Sequence, residues 1–146
     1  MTVKRVLSRL LRLRELEEEQ SRLELEAAVG NRNRVAQELT VVVHRQIQGR
    51  MDFVNGISEK DTAGRTGAVI EMEQARRQRL RIEPRLESAD AVVMRQREQF
   101  MARRIGRRQV ETLVDQERLA AREQAGRRAQ QMLDDWYGRR VPKEEA

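Results

Sequence analysis

The sequence predicts an all-α fold, a long antiparallel two-helix coiled-coil hairpin. The first observation is an apolar stripe from Val3 to Ile57 with a mean spacing of 3.6 residues, the period of an α-helix. The second is composition, since 37% of the 146 residues are charged and only 3% are aromatic. Such a balance is typical of long helices and unlike a layered core. The third is a single cluster of glycine and helix-poor residues, from Asn55 to Gly67, where the chain can reverse.

The first helix is predicted over about residues 3–57. A helix of about 80 Å, at ~1.5 Å per residue, needs a second helix along its apolar stripe. All stripe positions are apolar except Gln20 and Asn31. The stripe consists of Val3, Val6, Leu10, Leu13, Leu16, Gln20, Leu23, Ala27, Asn31, Val35, Leu39, Val43, Ile47, Met51, Val54 and Ile57.

The turn is predicted at about residues 58–66 and the second helix at about 67–137, ending before Gly138. The whole of 1–146 would then form one hairpin with both chain ends at the same tip. Pro84 lies inside the second helix, where proline removes a backbone hydrogen bond and clashes with the preceding turn, at a cost of about 3 kcal/mol. We therefore expect the second helix to be kinked or broken near Pro84, with 85–137 as the longer continuous piece.

The chain is strongly basic, with 30 Lys+Arg against 24 Asp+Glu and a sequence pI near 10.8. Six arginines gather between Arg95 and Arg108. This run is consistent with a solvated helix face, a surface for an acidic protein or a nucleic-acid contact. Nucleic acid is not expected, because Phe100 is the only aromatic residue in the run and no nucleic-acid-binding motif accompanies it.

The sequence contains no pattern typical of catalysis or of metal binding. It has one histidine, His44, no cysteine, and a glycine segment at 63–67 that lacks the lysine of a phosphate-binding loop. The sequence therefore predicts a protein that is not an enzyme and uses no cofactor or metal. No apolar run reaches ~18 residues, and Arg9, Arg12 and Arg14 interrupt any secretory signal, so a cytoplasmic protein is expected.

Three stretches together resemble a known family. Residues 10–19 read LLRLRELEEE, residues 107–113 read RRQVETL and residues 128–136 read RAQQMLDDW. These stretches, their order and the total length are similar to the FliJ family of flagellar export stalk proteins, whose patterns are LLxLRExEE, R…VExL and REQKxLDE. Ala129 and Gln131 stand where that last pattern has Glu and Lys, so part of the polar signature is missing.

The resemblance implies a hairpin like that of the γ subunit of rotary ATP synthases. It implies that the tip with both chain ends enters the pore of the hexameric flagellar export ATPase, and that the half nearer the turn binds the membrane export-gate protein. Export chaperones are the third implied partner, and the implied location is cytoplasmic and peripheral at the inner face of the cell membrane. The candidate ATPase-binding residues are Arg5, Arg9, Arg12, Arg103, Arg104, Arg107 and Arg108. The candidate gate-binding residues are Leu39, Val43, Ile47, Val69, Met72, Arg76 and Leu80, for each of which packing between the two helices is an equally good explanation.

Other readings of the same sequence stay open. The nearest is the equivalent stalk subunit of a virulence secretion system, which Glu, Arg and Leu abundance alone does not separate from a flagellar one. A basic coiled-coil adaptor or scaffold without an ATPase partner would dimerise through the long stripe, whereas the stalk is expected to be a monomer or to self-associate weakly. A nucleic-acid-associated helical protein is the third.

Overall fold

Two long helices make up the fold. The computed structural model describes residues 2–140, in which α1 spans Val3–Ser58 and α2 spans Thr62–Arg140. The helices pack against each other as a hairpin, and no strand occurs in this part of the chain. The predicted all-α helical hairpin is therefore confirmed. Neither helix, over the residues described, has a stretch long and apolar enough to span a membrane.

A three-residue connection joins the helices. Lys60 adopts a left-handed backbone conformation, with φ of 54°. The amide of Lys60 donates to the carbonyl oxygen of Ile57 (3.3 Å), and that of Asp61 donates to the carbonyl oxygen of Gly56 (2.8 Å). This is the Schellman arrangement that closes a helix at its carboxyl end. Asp61 then caps α2, because its Oδ1 accepts a hydrogen bond from the amide of Gly64 (3.0 Å).

The turn is shorter than the sequence predicted, and the expected span of 58–66 is wrong. Helix α2 begins at Thr62 rather than at residue 67. The reason is the cap: Asp61 satisfies an amide that a helix start leaves unpaired, and this offsets the poor helix propensity of the glycines that follow. Gly64 also leaves room for this cap, since a β-carbon there would collide with the Asp61 carboxylate.

Helix α2 runs through Pro84 without interruption. The expected break near Pro84, with 85–137 as a separate piece, is therefore wrong. Pro84 is exposed, and Leu80, whose carbonyl oxygen the proline cannot bond, is also exposed. Water can hydrogen-bond to that carbonyl oxygen, which reduces the cost of the missing backbone bond. Packing of α2 on either side of Pro84 then offsets the cost that remains.

The residues that pack between the helices repeat every seven positions. Buried residues of α1 lie at Ser21, Val35, Val42, Gly49 and Gly56. This is the period of a two-stranded left-handed coiled coil, 3.5 residues per turn, rather than the 3.6 of a straight helix. On α2 the buried positions of the same repeat are Ala68, Ala75, Ile82, Ala89 and Val110.

The predicted stripe is therefore not the packing interface. It coincides with buried or half-buried positions at Leu10, Val35, Leu39 and Val43 and is exposed over the rest of α1. The stripe residues that stay exposed include Val3, Leu13, Leu16, Leu23, Ile47, Met51, Val54 and Ile57.

The chain divides into two compact units where the sequence predicted one. Unit 1 comprises Met1–Glu18 and Ala102–Ala146, and unit 2 comprises Glu19–Met101. The core of unit 2 is a cluster of Val35, Val42, Ala75 and Ile82, against which Leu39 and Leu86 pack. Its helices are also joined by three ion pairs, Arg32–Asp90 (2.8 Å), Arg45–Glu71 (2.8 Å) and Arg85–Glu38 (3.0 Å).

Unit 1 has a smaller core. Its buried hydrophobic residues are Val110 and Val114 on α2, opposite half-buried Leu7 and Leu10 of α1. With so little apolar burial, charged side chains supply much of the contact between the two helices of this unit.

Candidate partner-binding surfaces

Two of the candidate ATPase-binding arginines join the helices of unit 1. Arg103 forms an ion pair with Glu17 (3.3 Å), and Arg107 forms one with Glu18. Arg107 also contacts Glu111 on its own helix (2.6 Å). The hydrogen bond to Glu18, together with the charges of Glu18 and Glu111, raises the pKa of Arg107 above its ordinary value, so the guanidinium is held in its charged form.

Most of the remaining candidate arginines of unit 1 are more exposed to solvent than Arg103 and Arg107. Arg5, Arg12 and Arg108 are exposed, as is Arg9, while Arg104 is half-buried. Arg5 and Arg12 are seven residues apart and so lie on the same side of α1, two turns from each other. The structure thus separates Arg103 and Arg107, which join the helices, from the exposed Arg5, Arg12 and Arg108.

The last part of α2 contains the stretch 128–136 that resembles the family, but none of the candidate binding residues. Every residue from Arg118 to Arg140 is exposed. Near its end, the Arg140 guanidinium lies over the Trp136 ring (4.1 Å to the centroid), and Trp136 meets Tyr137 edge-on (5.2 Å between centroids). The described helices differ in length in the same sense, since α1 has 56 residues and α2 has 79.

The candidate gate-binding residues lie in unit 2 and divide in the same way. Leu39 packs against the core, and Val43 and Met72 are half-buried, so the packing interpretation fits these three. The exposed members are Ile47 (54%), Val69 (48%), Leu80 (56%) and Arg76, which donates hydrogen bonds to Glu73.

The exposed gate candidates lie outside the packed positions of unit 2. In the seven-residue repeat, Val69 and Arg76 directly follow the buried positions Ala68 and Ala75 and so lie on one flank, whereas Ile47 and Leu80 each precede a buried position, Gly49 and Ile82, by two residues and so point away from the partner helix. The ion-paired residues Arg45, Glu71, Glu38 and Arg85 occupy the other flank. A break at Pro84 does not account for this exposure, since α2 is continuous there.

The chemistry of these surfaces is that of contact and charge. His44 is exposed on α1. Among residues 2–140, no group of three His, Cys, Asp or Glu side chains is placed to hold a metal ion.

Comparison with known proteins gives one match. The family model described as "Flagellar FliJ protein" matches residues 4–145, nearly the whole chain. No curated protein and no solved structure matches the chain significantly. The family match covers both helices, both units and every candidate residue named above. The chain belongs to the flagellar FliJ protein family.

Proposed function

We propose that this chain is the non-enzymatic stalk of the flagellar export apparatus, inserting unit 1 into the pore of the hexameric export ATPase and presenting unit 2 to the export-gate protein. Membership of the family makes the chain a component of the flagellar export apparatus, and the stalk role is the more specific claim. The working location is at the inner face of the cell membrane, beside the gate, where export chaperones would also meet the chain.

The observation that carries this proposal is the distribution of charge between the two units. The described residues of unit 1 contain 15 Lys+Arg and 9 Asp+Glu, an excess of six positive charges. Unit 2 contains 14 and 13, an excess of one. The basic character of the protein is therefore concentrated in the unit that carries both chain ends.

A concentrated positive charge suits entry into a pore lined by acidic loops. Long-range attraction raises the rate of encounter and orients the basic end toward the pore. Each exposed ion pair contributes only about 0–1 kcal/mol, so the affinity would be the sum of several weak contacts and would fall with salt.

The test is stimulation of the purified hexameric export ATPase by the full chain. A variant with Arg5, Arg12 and Arg108 changed to Glu removes three exposed charges of unit 1 that do not join its helices. The matched control changes three exposed arginines of unit 2, Arg34, Arg50 and Arg97, to Glu, which alters the net charge equally.

We expect the unit 1 variant to need at least ~10-fold more protein for half-maximal stimulation, the equivalent of about 1.4 kcal/mol. The control should stay within about twofold, and helicity should be unchanged in both. Equal effects of the two variants would contradict insertion by unit 1. Absence of any stimulation by the unmodified chain would favour an adaptor without an ATPase partner.

The gate surface is proposed on the exposed residues Ile47, Val69 and Leu80. Exposed apolar side chains that lie close together mark many protein-binding surfaces. Leu39 and Met72 are left out of this proposal because their packing within unit 2 already accounts for them.

A further inference from the structure

The last part of α2 is not packed against another helix within the described residues 2–140. The α2 tail is defined here as Leu119–Arg140, about 33 Å long at ~1.5 Å per residue. Helix α1 begins beside residues 117–125, where Lys4 lines a groove with Glu117, Ala121 and Ala125. Beyond that groove every side chain of the α2 tail is exposed. A single exposed helix of this length is marginally stable in water, so a second helix alongside would stabilise it.

The α2 tail carries an apolar stripe that continues from the packed part of unit 1. Val110 and Val114 are buried, and the apolar residues that follow them recur at spacings that keep to one side of the helix. Within the tail the side chains are small first and large afterwards, since three alanines precede methionine and tryptophan. The stripe runs through Ala121, Ala125, Ala129, Met132 and Trp136.

We propose that the α2 tail pairs antiparallel with the α2 tail of a second copy of this chain. In an antiparallel pair centred between residues 130 and 131, Ala129 of each copy faces Met132 of the other, and Ala125 faces Trp136. Each of these layers then combines a small side chain with a large one, which is the size match that close helix packing requires. Met132 is 73% exposed and Trp136 46% exposed in the single chain, so both have apolar surface to bury.

Charge supports the same register. Arg128 directly precedes the stripe residue Ala129, and Asp135 directly precedes Trp136. In the antiparallel pair, Arg128 of each copy lies beside Asp135 of the other on the flank of the interface, which gives two opposite-charge contacts per dimer. The layer of Arg122 and Arg139 at either end is like-charged, and there both side chains can extend into solvent.

A second copy fits the α2 tail better than an anionic surface does. The tail carries five arginines but also Glu123, Asp134 and Asp135, two of which flank the aromatic end of the stripe. A membrane or a nucleic acid would bring phosphate groups close to these carboxylates, and alanines at the middle of the stripe offer little area to lipid. The interface covers about two and a half heptads, so the dimer should be weak and reversible.

Self-pairing would shield the basic end of the chain until a partner displaces it. It goes beyond the stalk role, because it concerns the chain before any ATPase is present. Its test uses the chain alone, so its failure leaves the ATPase proposal untouched.

The first experiment is sedimentation equilibrium of the full chain over a concentration range of about two orders of magnitude. We expect a monomer–dimer equilibrium, with Trp136 emission shifting to shorter wavelength as dimer forms. Ala129→Glu should weaken dimerisation at least ~10-fold by placing a charge in the interface. The matched control is Ala120→Glu, the same change on the opposite side of the same helix, which should leave the equilibrium unchanged.

Two further measurements test register and direction. Arg128→Asp or Asp135→Arg alone should weaken the dimer, and the two changes combined should restore it, since the opposite charges are then exchanged. Because the chain has no cysteine, Ala129→Cys and Met132→Cys chains can be mixed under oxidising conditions. An antiparallel pair gives the mixed disulfide, and a parallel pair gives the two symmetric ones.

A chain that stays monomeric throughout the series would overturn the proposal. So would a dimer that Ala129→Glu and Ala120→Glu weaken equally, or one in which the symmetric disulfides dominate. Circular dichroism of each variant measures its helix content, which distinguishes a variant that fails to fold from one that folds but does not dimerise.

Discussion

Gly49 of α1 lies so close to Met72 of α2 that a β-carbon on Gly49 would come within 2.7 Å of Met72 Cγ. Both residues belong to unit 2, where Gly49 occupies a buried position of the seven-residue repeat. Glycine in a helix lowers its stability by up to ~1 kcal/mol relative to alanine. At position 49 this loss accompanies a close approach of the two helices that a side chain would prevent.

Replacing Gly49 with alanine should therefore lower stability, because the collision with Met72 outweighs the gain in helix propensity. The matched control is Gly30→Ala on the same helix, where a β-carbon would meet no atom within 4 Å. That change should raise the free energy of unfolding by up to ~1 kcal/mol. Thermal and urea unfolding measure both.

The same collision predicts that the effect of Gly49→Ala on stability reverses in a chain that already carries Met72→Ala. When Met72 is first changed to Ala, the atom that meets the new β-carbon is gone, and Gly49→Ala should then stabilise the chain. If Gly49→Ala lowers stability equally in both backgrounds, contact with Met72 is not the cause.

The turn offers a stabilising substitution at Lys60. A side chain in the left-handed conformation costs about 1 kcal/mol that glycine does not incur. Lys60→Gly should therefore raise the thermal midpoint. Lys60→Ala removes the same charge but keeps the β-carbon, so it should give no such gain, and a similar gain from both would attribute the effect to charge.

Asp61 should be the most sensitive residue of the connection. Its carboxylate caps α2, and loss of an N-cap costs about 0.5–2 kcal/mol. Asp61→Ala should lower the free energy of unfolding by this amount, whereas Asp61→Asn, which keeps a capping oxygen, should lose much less. Chemical denaturation with both variants measures the difference.

The gate proposal predicts a separation between exposed and packed residues. Changing Ile47 and Leu80 together to Gln removes exposed apolar surface and should weaken binding of the export-gate protein about 10-fold. Stability should hardly change. Val41→Gln is the control, since Val41 is equally exposed but lies on the flank of the Arg45–Glu71 ion pair. Leu39→Ala, by contrast, should lower the thermal midpoint, because Leu39 packs against the core.

Lowering the pH should reduce the free energy of unfolding, because neighbouring arginines stabilise the charged form of some carboxylates in the folded chain. Hydrogen bonds from Arg76 lower the pKa of Glu73 below its ordinary value of 4.5, and Arg77 adds to the effect. A carboxylate with a lowered pKa in the folded state contributes stability that is present above its unfolded pKa and is lost as pH falls through the folded value. Stability should thus decline from about pH 4.5 downward.

The size of this acid effect can be isolated. Glu73→Gln should flatten the dependence of the thermal midpoint on pH in this range. Added salt should reduce the difference between the variant and the unmodified chain, because the groups are exposed. An identical pH profile for both proteins at low salt would contradict the assignment.

The number, order and approximate positions of the helices could be predicted from the sequence, but the packing positions could not. The predicted stripe assumed a straight helix with 3.6 residues per turn, whereas two supercoiled helices meet every 3.5 residues. Over the length of α1 this difference moves the predicted stripe across the interface, so that it meets the packed positions only at Leu10 and around Leu39. Apolar residues were also a poor guide, since Ser21, Gly49 and Gly56 are buried while Leu16 and Ile57 are exposed.

The candidate surfaces could be predicted only in part, because they too depend on which residues of the two helices face each other. The sequence showed that arginines are abundant, but ion pairing of Arg103 and Arg107 depends on which acidic residues the partner helix places opposite them. A helix break at Pro84 was wrongly predicted, because the effect of a proline depends on whether water can reach the carbonyl oxygen that it leaves without a hydrogen bond.

The shortness of the connection between Ser58 and Thr62 also bears on how the protein acquires its structure during synthesis. Closing a three-residue loop costs little chain entropy, and every later layer of contact adds only a few residues to the loop already closed. Folding should therefore begin at the connection and proceed toward the termini, rapidly, as in other proteins dominated by contacts that grow outward from a turn. A ribosome, however, finishes α1 before any of α2 emerges. In that interval the leucines and valines of α1 have no companion, and the nascent chain depends on its many charges, or on a chaperone, to stay in solution.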